Sequence, residues 1–381
     1  MAKKKRKGRK VRTEFKKRHD SKSRKKDFTR EFRGGDECIE DLGKSERVSG
    51  KGSLTRKRTV VGDQSDDDRD GFQVDLNIDE DNCVRGRVIR VHGLSSIVRA
   101  ENGEVFDCAI RGVLKSLATD LQHVVVAGDH VIVQRGDGDQ GVIVRVEKRR
   151  NQLSRTSRQR QQILVSNIDQ VLIVASAAEP ILKPNLVDRF VISAEKARIR
   201  PVILINKIDL VQPSDLQPIS GVWGQLGYPV ILLSVKTGQN ISQLKKIVAN
   251  NDSVVTGQSG VGKSSILNSI QDGLNARVSK VSTDNQKGRH TTTTAELIPL
   301  DIGGHLIDTP GIRQFQLWDI IAEEVSGYFR EFRPYVNSCR FPNCTHTHEE
   351  DCQIKYAVAD GRIDVRRYES YCQMRIGLTE I

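Results

Sequence analysis

The stretch Gly257-Gln258-Ser259-Gly260-Val261-Gly262-Lys263-Ser264 follows the phosphate-binding loop pattern G-x-x-x-x-G-K-[ST]. The segment Ser253 to Thr256 before it predicts a strand, and Ser265 to Asn268 begins a predicted helix. In such a strand–loop–helix unit, backbone N–H groups surround phosphates, the lysine reaches the β- and γ-phosphates, and the last hydroxyl binds Mg²⁺. The stretch therefore predicts an α/β nucleotide-binding fold, with Lys263 on the phosphates and Ser264 on magnesium.

Two segments upstream predict which base is bound. Asn206-Lys207-Ile208-Asp209 closes an apolar strand, Pro201 to Ile205. The Asp209 carboxylate can accept hydrogen bonds from N1–H and the 2-amino group of guanine, a donor pair that adenine lacks. After another predicted strand, Ser234-Val235-Lys236 is placed to donate a backbone N–H to guanine O6. We therefore predict GTP and GDP as ligands.

Two segments downstream predict contacts with Mg²⁺ and the γ-phosphate. Asp308-Thr309-Pro310-Gly311 ends a predicted strand, so that Asp308 can hold the metal and the Gly311 N–H can meet the γ-phosphate. The loop Gly288 to Thr294 is rich in threonine and lies where a GTPase places its switch threonine on Mg²⁺. Thr292 and Thr293 are our candidates, although the residues Thr291 to Thr294 leave the choice open.

The order of these elements differs from that of an ordinary GTPase, in which the phosphate loop precedes the base-reading loops. Here the base-reading segments at 206 and 234 come first. The order predicts a circularly permuted P-loop GTPase domain over residues 151 to 320, which is tolerated when the original termini lie close together. The amphipathic segment Ile241 to Val248 is the predicted helix that joins those termini.

A cysteine and histidine cluster follows the nucleotide motifs. Cys339, Cys344, His346 and Cys352 have the spacing C-x₄-C-x-H-x₅-C, which offers three thiolates and one imidazole to a tetrahedral Zn²⁺. His348 is a competing ligand. Because protein side chains fill all four positions, we predict a structural zinc ion in a small helical domain, residues 321 to 381. Unligated core cysteines are the alternative.

Residues 83 to 150 consist of short β-branched runs separated by glycine and asparagine turns. Five short strands within this length predict a small β-barrel of the OB-fold type. Arginines are scattered through it, but Phe106 is its sole aromatic residue, so base stacking is poorly supplied. If the barrel binds RNA, it should do so mainly through contacts with the phosphates and the shape of the RNA. The alternative is a barrel that binds another protein.

The N-terminal residues 1 to 82 carry the positive charge of the chain. Residues 1 to 33 hold 17 Lys and Arg against four acids, a net of +13 within a total of +12. Nine acids follow between Asp63 and Asp81. This composition predicts a disordered extension, whose basic and acidic parts either pair with each other or remain solvated.

The chain has no apolar stretch near the ~20 residues of a membrane span, and its few other cysteines indicate a reducing cytoplasm.

The barrel, the permuted motif order and the Cys-Cys-His-Cys module together resemble the bacterial ribosome small subunit-dependent GTPases, the RsgA/YjeQ family. The resemblance covers about residues 83 to 381, including Gly260 to Ser265 and Arg367 to Tyr371. It implies an OB-fold, a permuted G domain and a zinc-finger domain. It also implies 30S-stimulated GTP hydrolysis in late 30S maturation, with 16S rRNA bound by the flanking domains. We expect a monomer that binds neither DNA nor membranes.

The catalytic group is less apparent than the binding residues. Members of this family have an apolar residue in place of the glutamine after the DxxG motif, and this chain has Ile312, which cannot orient water. Hydrolysis should therefore be slow without a ribosomal contribution. His290, in the switch loop, is the internal candidate, and a structural or rRNA-contacting role is its alternative. Ile312 also supports a second hypothesis, a non-catalytic, GTP-gated rRNA-binding assembly module.

Overall fold

The computed structural model describes residues 82 to 112 except 94, residue 114, and residues 124 to 157, 160 to 274, 295 to 308 and 320 to 379, together with three N-terminal strands. The chain divides into two compact units. The first contains residues 1 to 150 and 157 to 166, and the second contains residues 151 to 156 and 167 to 381. In the described ranges, no helix has both the length and the apolar character needed to cross a bilayer.

Three strands lie in the N-terminal extension, where the composition predicts no regular structure. They are β1 (Lys10–Glu14), β2 (Lys57–Gln64) and β3 (Val74–Leu76), and they form an antiparallel sheet in that order. Their sequences contain valine and threonine, which favour extended backbone. The remainder of the extension lies outside the described residues, and its predicted disorder stays a prediction.

The strands after the extension close into a barrel. Strand β4 pairs with both β5 and β7, β6 pairs with β5 and β8, and β7 pairs with β8. Alternate residues point inward, and the interior includes Val88, Val98, Phe106 and Ile143, each at most 3% exposed. The predicted OB-type barrel is thus confirmed, and its one aromatic ring lies in the core. The strands are β4 (Cys83–His92), β5 (Ser95–Ala100), β6 (Val105–Ile110), β7 (His130–Arg135) and β8 (Gln140–Val146).

A buried ion pair joins Asp129 and Arg149 in the first unit. The Arg149 guanidinium donates to both carboxylate oxygens of Asp129 at 2.7 and 2.8 Å, and both side chains are at most 2% exposed. The Asp129 carboxylate also accepts the Ser166 hydroxyl at 2.6 Å and the Val126 N–H at 2.9 Å. The Asp129 carboxylate therefore links the segments that contain Val126, Arg149 and Ser166 in the first unit.

Replacing Asp129 with alanine should destabilise the barrel by about 3–5 kcal/mol, because it leaves a buried guanidinium without its carboxylate. Urea unfolding of the purified chain measures the change. Asp107→Ala, which removes an acid of β6 whose carboxylate accepts the Ser95 hydroxyl at the protein surface, is the matched control. Equal stability of the two variants would contradict a structural role for the buried pair.

The second unit contains a mostly parallel sheet. Its order is β13-β12-β11-β14-β16-β15, and every neighbouring pair is parallel except β15 with β16. The central strand β11 is buried throughout, which explains its nearly continuous apolar sequence. Two strands, β9 (Gln152–Ser157) and β10 (Arg160–Ser166), precede it in the chain. The sheet strands are β11 (Gln170–Ser176), β12 (Arg200–Asn206), β13 (Val230–Leu232), β14 (Asn251–Gly257), β15 (Glu296–Pro299) and β16 (Gly304–Asp308).

In the described ranges of this domain, four helices connect the strands of the sheet. They are α1 (Pro184–Lys196), α2 (Pro213–Gln225), α3 (Ile241–Val248) and α4 (Lys263–Ile270). Helix α3 has the bounds predicted for the helix that joins the old termini, and its Leu244 and Val248 are buried. The structure thus confirms the predicted α/β architecture of the GTPase domain.

The C-terminal residues form a small helical module. It contains α5 (Val325–Tyr328), α6 (Gln353–Ala359), α7 (Val365–Thr379), and 3₁₀ turns at Arg330–Phe332 and Val336–Ser338. Its core includes the rings of Phe329, Phe332 and Tyr371, whose centroids lie 5.0 to 5.6 Å apart. This agrees with the small helical domain predicted from the sequence.

Candidate functional site

The predicted phosphate loop connects strand β14 to helix α4 at the carboxyl edge of the parallel sheet. Two of its glycines are required by close approaches. Gly257 has φ 140°, and a Cβ there would lie 2.1 Å from the Val174 carbonyl oxygen. Gly262 has φ 94°, and a Cβ there would lie 2.4 Å from Asn206 Nδ2. Gly257 therefore lets the loop approach β11, and Gly262 lets it approach Asn206 at the end of β12, in the first predicted base-reading segment.

Lys263 starts helix α4 and reaches back over the loop. Its Nζ donates to the Gly257 carbonyl at 2.8 Å and to the Gln258 carbonyl at 2.6 Å. Ser264 and Ser265 are exposed in the first turn of the same helix. A helix N-terminus attracts phosphate through its N–H groups and dipole. The loop, the ammonium and the two hydroxyls thus have the arrangement expected of a phosphate cradle.

The first predicted base-reading segment contacts this loop directly. The Asn206 Nδ2 group donates to the Val261 carbonyl at 3.0 Å, and its Oδ1 accepts the Val235 N–H at 3.3 Å. The Lys207 ammonium donates to the Gly260 carbonyl at 2.9 Å and also to the Glu179 carbonyl. Segments that lie far apart in the chain are therefore joined around one site. The contribution of Glu179 was not predicted, because a backbone carbonyl leaves no side-chain signal.

The carboxylate predicted to read the base, that of Asp209, is oriented by a serine. The Ser234 hydroxyl, fully buried, donates to Asp209 Oδ1 at 2.6 Å and accepts the Thr237 N–H at 3.2 Å. The hydrogen bond from Ser234, with smaller contributions from Lys236 and Lys207, lowers the pKa of Asp209. The carboxylate is therefore ionised at neutral pH and ready to accept two donors. The sequence placed Ser234 near guanine O6 but gave no indication that its hydroxyl orients Asp209.

The remaining predicted nucleotide contacts are only partly described. Strand β16 ends at Asp308, parallel to β14, but the side chain of Asp308 is outside the described part. His290, Thr292, Thr293 and Gly311 also lie outside the described residues. Their roles stay predictions.

Replacing Asp209 with asparagine should weaken GTP binding by roughly 10- to 100-fold, because a hydrogen bond to a charged group contributes about 1.5–3 kcal/mol. The amide should accept xanthine better than the carboxylate does, since xanthine carries a carbonyl oxygen where guanine has its amino group. Competition of GTP and XTP against a fluorescent guanine nucleotide measures both affinities. Unchanged preference for GTP would exclude Asp209 as the base-reading residue.

The predicted metal ligands come together in the C-terminal module. One ligand atom from each of Cys339, Cys344, His346 and Cys352 lies within 4.8 Å of all the others. The Cys339 and Cys352 sulfurs are 3.9 Å apart and lie 3.4 and 3.5 Å from His346 Nδ1. Three sulfurs and one imidazole nitrogen are the donors of closed structural zinc sites. The cluster is compatible with such a site.

The structure favours His346 over His348 as the imidazole of the cluster. His346 is 3% exposed, and burial lowers its pKa, so that the ring is in the neutral, metal-binding form at pH 7. The His348 side chain is 81% exposed. Burial also raises the pKa of the Cys344 thiol to about 12, so zinc binding there must release a proton.

Helix α7 and Glu349 hold the loop that carries His346. The Tyr368 hydroxyl donates to the His346 carbonyl at 2.8 Å, and the Tyr371 hydroxyl donates to the Thr345 carbonyl at 2.6 Å. Burial by itself would raise the pKa of the Glu349 carboxyl. Hydrogen bonds from Thr345 and Thr347 outweigh this effect and lower the pKa to about 2. These supports were not predicted, since sequence spacing identifies ligands and does not reveal what orients them.

Comparison with known proteins places these features in a family. A model described as RsgA GTPase matches residues 146–318. The "Small ribosomal subunit biogenesis GTPase RsgA" of Histophilus somni (strain 129Pt) is 37% identical over 303 residues, covering 77% of this chain and 84% of that protein. The protein of the same name from Haemophilus influenzae (strain PittGG) is 36% identical, covering 77% and 85%.

Two solved structures are also similar. The crystal structure of YjeQ from Thermotoga maritima has a TM-score of 0.65 and 34% identity, covering 78% of this chain and 99% of that one. The crystal structure of YloQ, a circularly permuted GTPase, has a TM-score of 0.62 and 26% identity, covering 80% of this chain and 98% of that one. The similarities agree with the permuted motif order and with the barrel.

Proposed function

This chain belongs to the RsgA family of GTPases, and on that premise we propose that it acts in the biogenesis of the small ribosomal subunit. It would bind the 30S subunit through 16S rRNA late in maturation and hydrolyse GTP to GDP and phosphate faster when bound. One observation carries the proposal: the phosphate loop meets the guanine-reading loops through Asn206, Lys207 and Gly262. The names of the relatives supply the ribosomal part.

In this function, each half of the site holds one part of the nucleotide. Gly257 to Ser265 bind the phosphates, and the Lys263 ammonium stabilises the charge that develops on the transferred group. Asp209, oriented by Ser234, selects guanine, and Asn206 to Lys207 and Val235 to Lys236 complete the base pocket. Ser264, one of Thr292 and Thr293, and Asp308 would hold Mg²⁺, while the Gly311 N–H would contact the γ-phosphate.

Hydrolysis itself is proposed to need the ribosome. Because Ile312 cannot orient a water molecule, the chain alone should turn over slowly. A group on the 30S subunit, or His290 positioned by it, would orient the attacking water. The stimulation of hydrolysis by the 30S subunit is thus proposed because Ile312 stands where other GTPases have a glutamine. GTP hydrolysis would occur mainly when the chain is bound to the subunit.

The other modules are proposed to support binding. Zinc in the Cys339, Cys344, His346 and Cys352 cluster would stabilise the fold of residues 321 to 381 and would take no part in the reaction. The barrel, residues 83 to 150, would contact rRNA phosphates and shape, since its aromatic ring is buried. The basic arm, residues 1 to 33, would add salt-dependent affinity. We propose a cytoplasmic monomer whose GTPase domain covers residues 151 to 320.

The test is the GTPase rate as a function of 30S concentration, at saturating GTP and Mg²⁺. We expect the rate to rise and saturate with 30S subunits, and to stay near its basal value with an equal amount of 50S subunits. A rate that does not depend on 30S subunits would reject ribosome-stimulated hydrolysis. Single-turnover cleavage of GTP on the subunit would exclude the alternative of a non-catalytic, GTP-gated module.

A further inference from the structure

Helix α1 contacts the C-terminal module along its length. In its first turn, Asn185 Nδ2 donates to Gln373 Oε1 at 2.8 Å. In its last turn, Glu195 accepts the Arg330 guanidinium at 2.6 Å. Between these contacts Ile192 lies in the same buried cluster as the core of the module. The helix is therefore held by the module at both ends and in the middle.

The central contact is a buried charge network. Arg367 of α7 donates to Asp188 of α1 and to Glu331 at 2.6 Å, and the side chains of Arg367 and Asp188 are each 1% exposed. Asp188 also accepts the indole N–H of Trp223 at 2.8 Å. The guanidinium lies 4.6 Å from the centre of the Phe329 ring. A planar guanidinium shared between two carboxylates and a ring face permits few relative positions of α1 and α7.

Helix α1 also begins close to the nucleotide site. Only residues 177 to 183 separate the end of β11 from Pro184, the first residue of α1. Within this segment, the Ala177 N–H donates to the Asn206 carbonyl at 2.8 Å. The Glu179 carbonyl accepts the Lys207 ammonium, which also binds the Gly260 carbonyl. A displacement of α1 would therefore move a carbonyl that helps to hold the guanine loop on the phosphate loop.

We propose that Arg367 and Asp188 are positioning residues for the nucleotide. By fixing α1 against the C-terminal module, they hold the segment 177 to 183 where Lys207 can bridge Glu179 and Gly260. Loosening the module should then speed nucleotide release. This coupling rests on the guanine-nucleotide site proposed above.

The experiment measures release of fluorescent GDP from the full chain by stopped flow. Arg367→Lys keeps the charge but cannot span Asp188 and Glu331, so we expect roughly tenfold faster release, as for the loss of a hydrogen bond between charged groups. Arg362→Lys is the matched control, because this exposed arginine of the same module pairs with Asp360. Asn185→Ala, at the edge of the contact, should speed release about threefold and provides a variant with little risk to folding.

A double-mutant cycle tests the route. In a Lys207→Met background, Arg367→Lys should have much less effect on release, since the link through Glu179 is already absent. Wild-type release rates in both Arg367→Lys and Asn185→Ala, or additive effects in the cycle, would overturn the proposal. Failure of the wild-type chain to bind GDP would instead reject the nucleotide site itself, so the two failures are distinguishable. Thermal unfolding of each variant verifies that release is measured on folded protein.

Discussion

Replacing Lys263 with alanine is expected to lower the 30S-stimulated GTPase rate by about 10²–10³-fold, the usual effect of removing one preorganised donor from a developing charge. The structure supports this size of effect, because Lys263 Nζ lies 2.8 and 2.6 Å from the carbonyls of Gly257 and Gln258, within the loop that would surround the phosphates. Phosphate release under saturating GTP, Mg²⁺ and 30S subunits measures the rate.

The control for this variant is Lys245→Ala, which removes an exposed lysine from helix α3. It should keep the wild-type rate, and both variants should keep wild-type zinc content. A Lys263→Ala protein that hydrolyses GTP within a factor of about ten of wild type would contradict the assignment of the phosphate loop, since that factor corresponds to only about 1.4 kcal/mol of transition-state stabilisation.

Replacing Cys352 with serine is expected to remove bound zinc and to unfold the C-terminal module. Cys352 is 1% exposed, and its sulfur lies near two other candidate ligands. Structural zinc contributes about 10–16 kcal/mol of apparent binding free energy in small zinc modules, so its loss exceeds the stability of a module of this size. Zinc content by atomic emission and limited proteolysis of residues 321 to 381 report the two consequences.

Two variants separate metal binding from simple packing. Cys372→Ser changes a half-buried cysteine of helix α7 that lies outside the ligand cluster, so zinc should be retained. His348→Ala should likewise keep zinc, whereas His346→Ala should lose it. Full zinc content in Cys352→Ser would contradict the ligand set, and loss of zinc in His348→Ala would reverse the choice of imidazole.

The fold follows closely from local signals in the sequence. The short β-branched runs of residues 83 to 150, separated by turn residues, predict the barrel, because β-branched side chains favour extended strands and the turns let successive strands pair. The helix Ile241 to Val248 is observed with its predicted bounds. The three strands of the N-terminal extension were not predicted. Composition alone indicates disorder there, because charged residues are many and β-branched residues are few.

The candidate site was predicted by residue type but not by contact. Spacing alone leaves His348 as a competitor of His346, and burial separates the two because a metal ligand must face the cysteines. The role of Ser234 in orienting Asp209 depends on a hydrogen bond between residues 25 positions apart. The Glu179 carbonyl has no side-chain signature, so it becomes apparent only when β11 and β12 are neighbours.

The sequence by itself predicted the chemistry of this protein: the phosphate loop, the guanine-reading segments, their permuted order and the three cysteines of the candidate metal site. These depend on residue types at short spacing, which local backbone geometry constrains directly. Only the tertiary structure decided which side chains orient those residues, and that Asp188 and Arg367 join helix α1 to the C-terminal module. Arg367 and Asp188 are 179 positions apart, and a buried pair at that separation is set by how the elements pack, which no local pattern encodes.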